Sequence, residues 1–223
     1  MEDYQGRAVM VFGAAGALGA GLAAAFAAAG ASVTGVDRAE PQGDGRLAGI
    51  RYQAADVADD DALRALFDAG TAPWAVLNTV GGFAGRRPLA ELDLAELTGQ
   101  IQLNLVTAAL INKHALRVMR PAGEGRIVHT ASRAAVVTAG SGFAYSVSKL
   151  GVLRLVEMAA DEVRGTRITV NCVVPSIIDT PANRAAIPGA DYAAWPKVPD
   201  LARTYAFLAA PSSGIVNGAA IPV

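Results

Sequence analysis

The 223-residue chain fits one α/β domain, and 52% hydrophobic against 17% charged residues supplies a large apolar core and excludes intrinsic disorder. The formal net charge is −1 with Lys and Arg dispersed, so no basic patch points to nucleic acid. The one cysteine, Cys172, lies in the apolar run Ile168–Val174 and reads as a small buried hydrophobe of a reducing compartment.

No charged residue occurs between Arg7 and Asp37, which by hydropathy alone resembles a signal peptide or a membrane span. Glu2 and Asp3 ahead of it are the wrong flank for a signal peptide, and the stretch is rich in Ala and Gly rather than Leu. It also divides into a strand, a Gly-rich turn, a helix and a second strand. A cytoplasmic protein with no membrane partner is the expectation.

Taken in order, strands are predicted at Ala8–Phe12, Ser32–Val36, Ile50–Ala54, Ala75–Leu77, Arg126–Thr130, Ile168–Val174 and near Ala219–Val223. Helices are predicted near Ala17–Ala29, Asp60–Asp68, Leu94–Met119, Phe143–Val163 and Asp200–Leu208. The alternation implies a parallel sheet with helices on both faces, whose strands are near-continuously apolar. Thr98–Met119 carries few charges for its length, which suits burial or contact with another subunit. No linker divides residues 1–223, and the one long irregular stretch, 175–199, is expected to be an active-site lid.

The first strand runs into Gly13-Ala14-Ala15-Gly16-Ala17-Leu18-Gly19 and then an Ala-rich helix. Glycines here let backbone approach a pyrophosphate, whose charge favours the amide-rich helix start. Such turns also arise for packing alone, and the strand before and helix after favour a dinucleotide. Asp37 follows the second strand, where a carboxylate accepts hydrogen bonds from ribose hydroxyls and repels a 2′-phosphate. NAD(H) is therefore expected over NADP(H), with Arg38 able to soften the preference.

Tyr145 and Lys149 share a helix face at i,i+4, and a nearby ammonium would stabilise the anion of a phenol whose ordinary pKa is near 10. By itself the pair is equally an ordinary surface contact. Ser132, just past the fifth strand, would face the crevice at the carboxyl edge of the sheet and hold a substrate oxygen. Asn104, an amide mid-helix among apolar residues, calls for a specific partner, either a bulged carbonyl or a bound water. Phe83, Asn183, Tyr192 and Trp195 are candidates for a substrate pocket, with loop packing the competing reading.

These residues, with Asp56-Val57, Asn78, Gly81 and Pro175-Ser176-Ile177-Ile178-Asp179-Thr180, resemble the short-chain dehydrogenase/reductase family from the first strand to Val223. The resemblance implies a seven-stranded doubly wound Rossmann sheet in the order 3-2-1-4-5-6-7. It implies an Asn104–Ser132–Tyr145–Lys149 tetrad and hydride exchange with a nicotinamide. In that likeness Asp56 and Val57 bracket the adenine and Asn78 and Gly81 line the cofactor. Pro175, Ile178 and Thr180 belong to the nicotinamide-side loop, with Thr180 at the carboxamide. The Gly13–Gly19 spacing, the Val80-Gly81-Gly82-Phe83 loop and the Asp179–Arg184 segment are similar to the quinonoid dihydropteridine reductase branch, which typically lacks the serine present here as Ser132. A reductase or dehydrogenase of a small carbonyl, alcohol or pterin-like molecule is expected, as a homodimer or homotetramer and with no metal. The competing class is a catalytically silent NAD-binding sensor or scaffold on the same fold.

Overall fold

The computed structural model describes residues 4–85, 87–137 and 142–223, so Glu2 and Asp3 lie outside the described residues. Strands β1 (Ala8–Phe12), β2 (Ser32–Asp37), β3 (Ile50–Ala54), β4 (Ala75–Asn78), β5 (Glu124–Thr130), β6 (Arg167–Val174) and β7 (Ala220–Pro222) form one sheet. Their order is β3-β2-β1-β4-β5-β6-β7, and every pairing is parallel. β4 is buried at every position and β6 at all but its first, as sheets covered on both faces require.

Helices α1 (Ala17–Ala28) and α7 (Val198–Ala209) cover one face, placing Leu22, Phe26, Leu201 and Tyr205 against Val9, Val11, Leu77 and Val128. Helices α2 (Asp60–Asp68), α4 (Thr107–Ala122) and α5 (Phe143–Glu162) cover the other. There Leu63, Phe67, Ile111, Met119, Val152 and Val156 meet Phe12, Val76, Ile127, Val170 and the buried Cys172. The uncharged stretch from residue 8 to 36 is thus β1, α1 and β2 of the sheet. Asp59 starts α2 by accepting from the Asp61 and Ala62 amides.

The segment predicted as a single α-helix is continuous over the 29 residues Leu94–Ala122, long and apolar enough by length and composition to cross a membrane. It is instead packed along the sheet and carries the buried polar residues Gln100, Asn104, Asn112 and His114. Its middle is not α-helical: between α3 (Leu94–Ile101) and α4, Gln102–Val106 forms a π turn with Asn104 at its centre. Gly123, at φ 80°, ends α4 in the left-handed conformation open to glycine.

The stretch 175–199 is more ordered than its sequence suggests. It contains α6 (Pro181–Ala186), a 3₁₀ turn at Tyr192–Ala194 and a parallel bridge between Asp179 and Lys197. α7 begins at Val198 rather than Asp200, because Pro199 sits in the first turn, where a missing N–H costs nothing.

Candidate active site

The carboxyl ends of β1, β4, β5 and β6 converge on one edge of the sheet, and the predicted site residues gather there. Gly13 to Gly16 carries β1 into α1, whose N-cap, Gly16, supplies no side-chain cap and whose first turn holds no acid. Those amides are therefore available to an anion. Ala15, Ala17 and Leu18 put no polar group in the way. Gly19 has an internal cause, since a Cβ there would overlap the carbonyl oxygen of Gly13. Asp37 Oδ2 accepts from the Ala15 amide at 2.9 Å and Oδ1 from Arg38 N–H at 2.8 Å, fixing its carboxylate against the turn. The Arg38 side chain extends unpaired beside it. This arrangement fits a dinucleotide: amides for phosphate and a fixed carboxylate for a ribose.

Two expected cofactor residues also serve the fold. Val57 is buried among Phe12, Val36 and Leu63, while exposed Asp56 accepts from the Ala58 amide. Asn78 is spent inside the sheet. Its Oδ1 accepts from the Val80 amide at 3.0 Å and its Nδ2 donates to His129 Nδ1 at 3.1 Å. His129 Nε2 in turn donates to Asn112 Oδ1 at 3.3 Å. Full burial holds His129 down to about 4, so it is neutral and locked as the Nε2–H tautomer. The chain Asn112–His129–Asn78 thereby fixes the turn leading to Gly81 and Gly82.

Asn104 clamps that turn from the other side. Its Oδ1 accepts from Gly82 N–H at 3.1 Å and its Nδ2 donates to Gly82 O at 3.1 Å, the reciprocal pattern of two paired strands. Nδ2 also reaches Gln100 Oε1 at 3.2 Å and Ser148 Oγ at 3.1 Å. The π turn brings this amide to Gly81, where a Cβ would stand 2.6 Å from Asn104 Oδ1 and 2.9 Å from Lys149 Nζ. The side chain's protein partners are thus a loop backbone and two side chains.

Ser132 leaves β5 extended and caps the 3₁₀ turn Arg133–Ala135, accepting from the Ala134 amide at 3.2 Å. Its hydroxyl also faces the Tyr145 phenol and acts to lower that phenol's pKa. Tyr145 and Lys149 lie on the first turns of α5, and the Tyr145 ring stands edge-on to Phe83 at 5.1 Å. Lys149 is buried, and Nζ donates to Thr130 O at 2.9 Å while lying 6.0 Å from the Tyr145 ring centre. Burial pushes the ammonium down to about 8. Burial raises Tyr145, with the Ser132 hydrogen bond pulling the other way, because Lys149 points at a carbonyl rather than at the phenol.

Pro175 O accepts from the Arg133 amide at 2.9 Å, and Ile178 packs on the α1/α7 core. Thr180 Oγ1 accepts from Asn183 N at 3.2 Å as the N-cap of α6, and Asn183 Nδ2 donates to Ile178 O at 2.8 Å. Tyr192 donates its hydroxyl to Ile187 O at 3.2 Å, lies under Arg184 and meets Trp195 edge-on at 4.9 Å. Of the substrate candidates, Asn183 and Tyr192 are therefore internal to the segment 175–199, because their polar atoms close its turns. Phe83 borders Tyr145, Gly82 is held by Asn104, and Trp195 lines a cavity with Arg133 and Ser176. Among the described residues no cluster of His, Cys, Asp and Glu could hold a metal.

A family model for short chain dehydrogenase matches residues 7–190. The chain belongs to the short-chain dehydrogenase family. These oxidoreductases use nicotinamide cofactors. The chain is 36% identical over 240 aligned residues to the cis-4-hydroxycyclohexanecarboxylate dehydrogenase of Sinomonas cyclohexanicum, covering 100% of this chain and 96% of that one. It is 32% identical to the D-threitol dehydrogenase of Mycolicibacterium smegmatis, covering 96% and 90%. In structure it is similar to a short-chain type dehydrogenase/reductase from Mycobacterium ulcerans, with TM-score 0.89, 28% identity and 99% and 89% of the two chains covered. A levodione reductase gives 0.88 at 25% identity, covering 99% and 96%.

Within this short-chain dehydrogenase several supporting residues escaped the sequence reading. Gln100 and Ser148 had a signal, since Gln100 lies four residues before Asn104 and Ser148 directly before Lys149. His129, Thr130 and Thr79, whose Oγ1 donates to Phe12 O at 2.7 Å beside Gly13, act through contacts between strands that no local spacing shows.

Proposed function

We propose that the protein interconverts a small secondary alcohol and its ketone, with NAD(H) preferred over NADP(H) and Tyr145 as the acid–base. The observation that carries this reading is the Ser132–Tyr145 hydroxyl pair at the crevice, backed by buried Lys149 and by Asn104. A bound nicotinamide would supply the hydride acceptor and donor of the reaction. Ser132 orients the substrate oxygen, and the Tyr145 phenol gives it a proton as the carbonyl is reduced or removes one as the alcohol is oxidised. Lys149 holds a positive charge behind the phenol at neutral pH and would help hold the nicotinamide ribose. Asn104 orders a relay water at the π turn. Asp37, already oriented by the Ala15 amide, favours two ribose hydroxyls over a phosphate.

Two of the relatives named above carry alcohols in their names, and Ser132 suits an oxygen-bound substrate, so a quinonoid dihydropterin ranks below an alcohol. Residues 175–199 act as the substrate lid. The exposed Leu94, Leu103, Leu150 and Met158 on α3, the π turn and α5 are read as the contact of a homodimer or homotetramer. The test follows absorbance of the reduced nicotinamide with NAD⁺ and NADP⁺ over cis-4-hydroxycyclohexanecarboxylate, threitol and simple secondary alcohols, and with NADH over quinonoid dihydropterin. Turnover of an alcohol at a kcat/KM at least tenfold higher with NAD⁺ is the expected result. Turnover of the pterin alone, or a preference for NADP⁺, would overturn it. Light scattering should give at least twice the chain mass.

A further inference from the structure

A cavity of about 430 Å³ lies beside the tetrad rather than within it, lined by Arg133, Ser176, Trp195, Pro196, Pro222 and Val223. It is built on the immediate neighbours of two assigned residues: Arg133 follows Ser132, and Ser176 follows Pro175. The Arg133 amide donates to Pro175 O at 2.9 Å and the Ser176 amide to Val223 O at 2.9 Å, so the ends of β5, β6 and β7 form a fixed floor. The lid supplies the opposite wall through Trp195, whose ring is held by Tyr192 at 4.9 Å.

The charge in this cavity is unbalanced. Among the described residues, Arg38, Arg51 and Arg133 are the only Lys or Arg side chains without an ion pair, a hydrogen bond or an aromatic partner. Arg38 stands beside Asp37 and Arg51 lies on edge strand β3. Of the three, Arg133 lines this cavity. Among the described residues no acidic side chain lines that cavity, and neither the Ser176 hydroxyl nor the Trp195 indole N–H has a hydrogen-bond partner. A planar guanidinium with a hydroxyl and an indole N–H beside it offers donors and no strong acceptor, the complement of a carboxylate. The proline and tryptophan walls suit an apolar body.

We propose that this cavity is a carboxylate subsite, and that the substrate is a small hydroxy or oxo carboxylic acid held by Arg133 at its acid end. The assignment of a reacting end rests on the dehydrogenase reading above. Adjacent Cα atoms are about 3.8 Å apart, so Ser132 and Arg133 present a hydroxyl and a cation from neighbouring points of one turn. A compact acid bridges them with its alcohol carbon at Ser132 and Tyr145. Arg133 is then a specificity-determining residue.

The first test needs no turnover. Calorimetric titration with cyclohexanecarboxylate and with cyclohexanecarboxamide should show the acid binding at least tenfold more tightly to the wild type, the range of one charge-assisted hydrogen bond. Arg133→Gln should erase that preference and Arg133→Lys keep part of it, with unchanged far-UV circular dichroism because the side chain is exposed. Equal affinities in the wild type, or a preference surviving in Arg133→Gln, would overturn the subsite. The second test compares kcat/KM for cis-4-hydroxycyclohexanecarboxylate and cyclohexanol, whose ratio should fall at least tenfold in Arg133→Gln. Acid binding that depends on Arg133 without turnover of any alcohol would remove the dehydrogenase reading and leave the subsite. Turnover of neutral alcohols with no acid preference would remove the subsite alone.

Discussion

Replacing Asn104 by Ala should destabilise the protein by a predictable amount. The amide is 1% exposed and faces Gly82 N, Gly82 O, Gln100 Oε1 and Ser148 Oγ, all at 3.1–3.2 Å. One carboxamide has two N–H groups, so its three acceptors share them, and about three hydrogen bonds are satisfied at any time. Ser148 keeps a partner, since its hydroxyl donates to Tyr145 O at 2.8 Å. The uncompensated losses are the Gly82 pair and Gln100. Each orphaned buried group costs about 1–3 kcal/mol, and Gly82 is only half buried, so roughly 2–4 kcal/mol is expected in all. That lies within the roughly 5–15 kcal/mol that holds most domains together, so the variant should fold. Urea unfolding followed by circular dichroism should show a midpoint lower by about 1–2 M at unchanged slope, given about 2 kcal/mol per molar. A loss below about 0.5 kcal/mol would refute the reasoning, showing that water replaces the clamp. Asn104→Asp keeps the shape but sets a carboxylate against Gly82 O and Gln100 Oε1. It should be weakest at neutral pH and recover on mild acidification, which protonates the carboxyl.

Other positions give independent checks. Gly19→Ala should abolish nicotinamide binding or soluble expression, because the added methyl overlaps the Gly13 carbonyl oxygen and must displace α1; binding within twofold of wild type would contradict that packing. His129 has a lowered folded pKa, so the unfolded state binds more protons between its ordinary 6.5 and about 4. Stability should therefore fall as pH drops through that window, by roughly 3 kcal/mol at most, and His129→Asn should flatten that slope in melts at pH 7 and pH 4.5. Asp179 is held well below the usual carboxylate range by Arg184, at 2.5 Å and 2.8 Å, and by Lys197 at 2.5 Å. Its ties should persist above the ordinary aspartate pKa and weaken as pH falls beneath it. Asp179→Asn should speed hydrogen exchange across residues 180–196 at neutral pH and raise KM more than it lowers kcat; unchanged exchange would show that the lid is held elsewhere.

Much of this arrangement can be read in the chain because it depends on local periodicity. Strands buried on both faces are written as apolar runs such as Val9–Phe12 and Ile168–Val174, and the turn at Gly13–Gly19 announces itself by composition. Tyr145 and Lys149 are four apart, so a helix brings them onto one face whatever surrounds them. Where the reading stopped, the cause was tertiary. Lys149 bonds Thr130 O across a strand end, so its distance from the phenol is set by β5 and not by helical spacing. Asn78 is absorbed by His129, 51 residues away, and Asn183 and Tyr192 turn inward to close their own lid. The π turn at Gln102–Val106 leaves no mark beyond an amide in an apolar helix, and the Arg133 cavity exists only once three strand ends and the lid meet.

The central claim is that Tyr145 carries the proton while the rest of the site binds and orients. Tyr145→Phe removes one oxygen and retains the ring that meets Phe83. Steady-state turnover with NAD⁺ and the best alcohol should fall at least a thousandfold, toward the loss of a general acid–base, while fluorescence titration shows NADH bound within about threefold of wild type. Turnover within tenfold of wild type, at equal NADH affinity, would contradict the account.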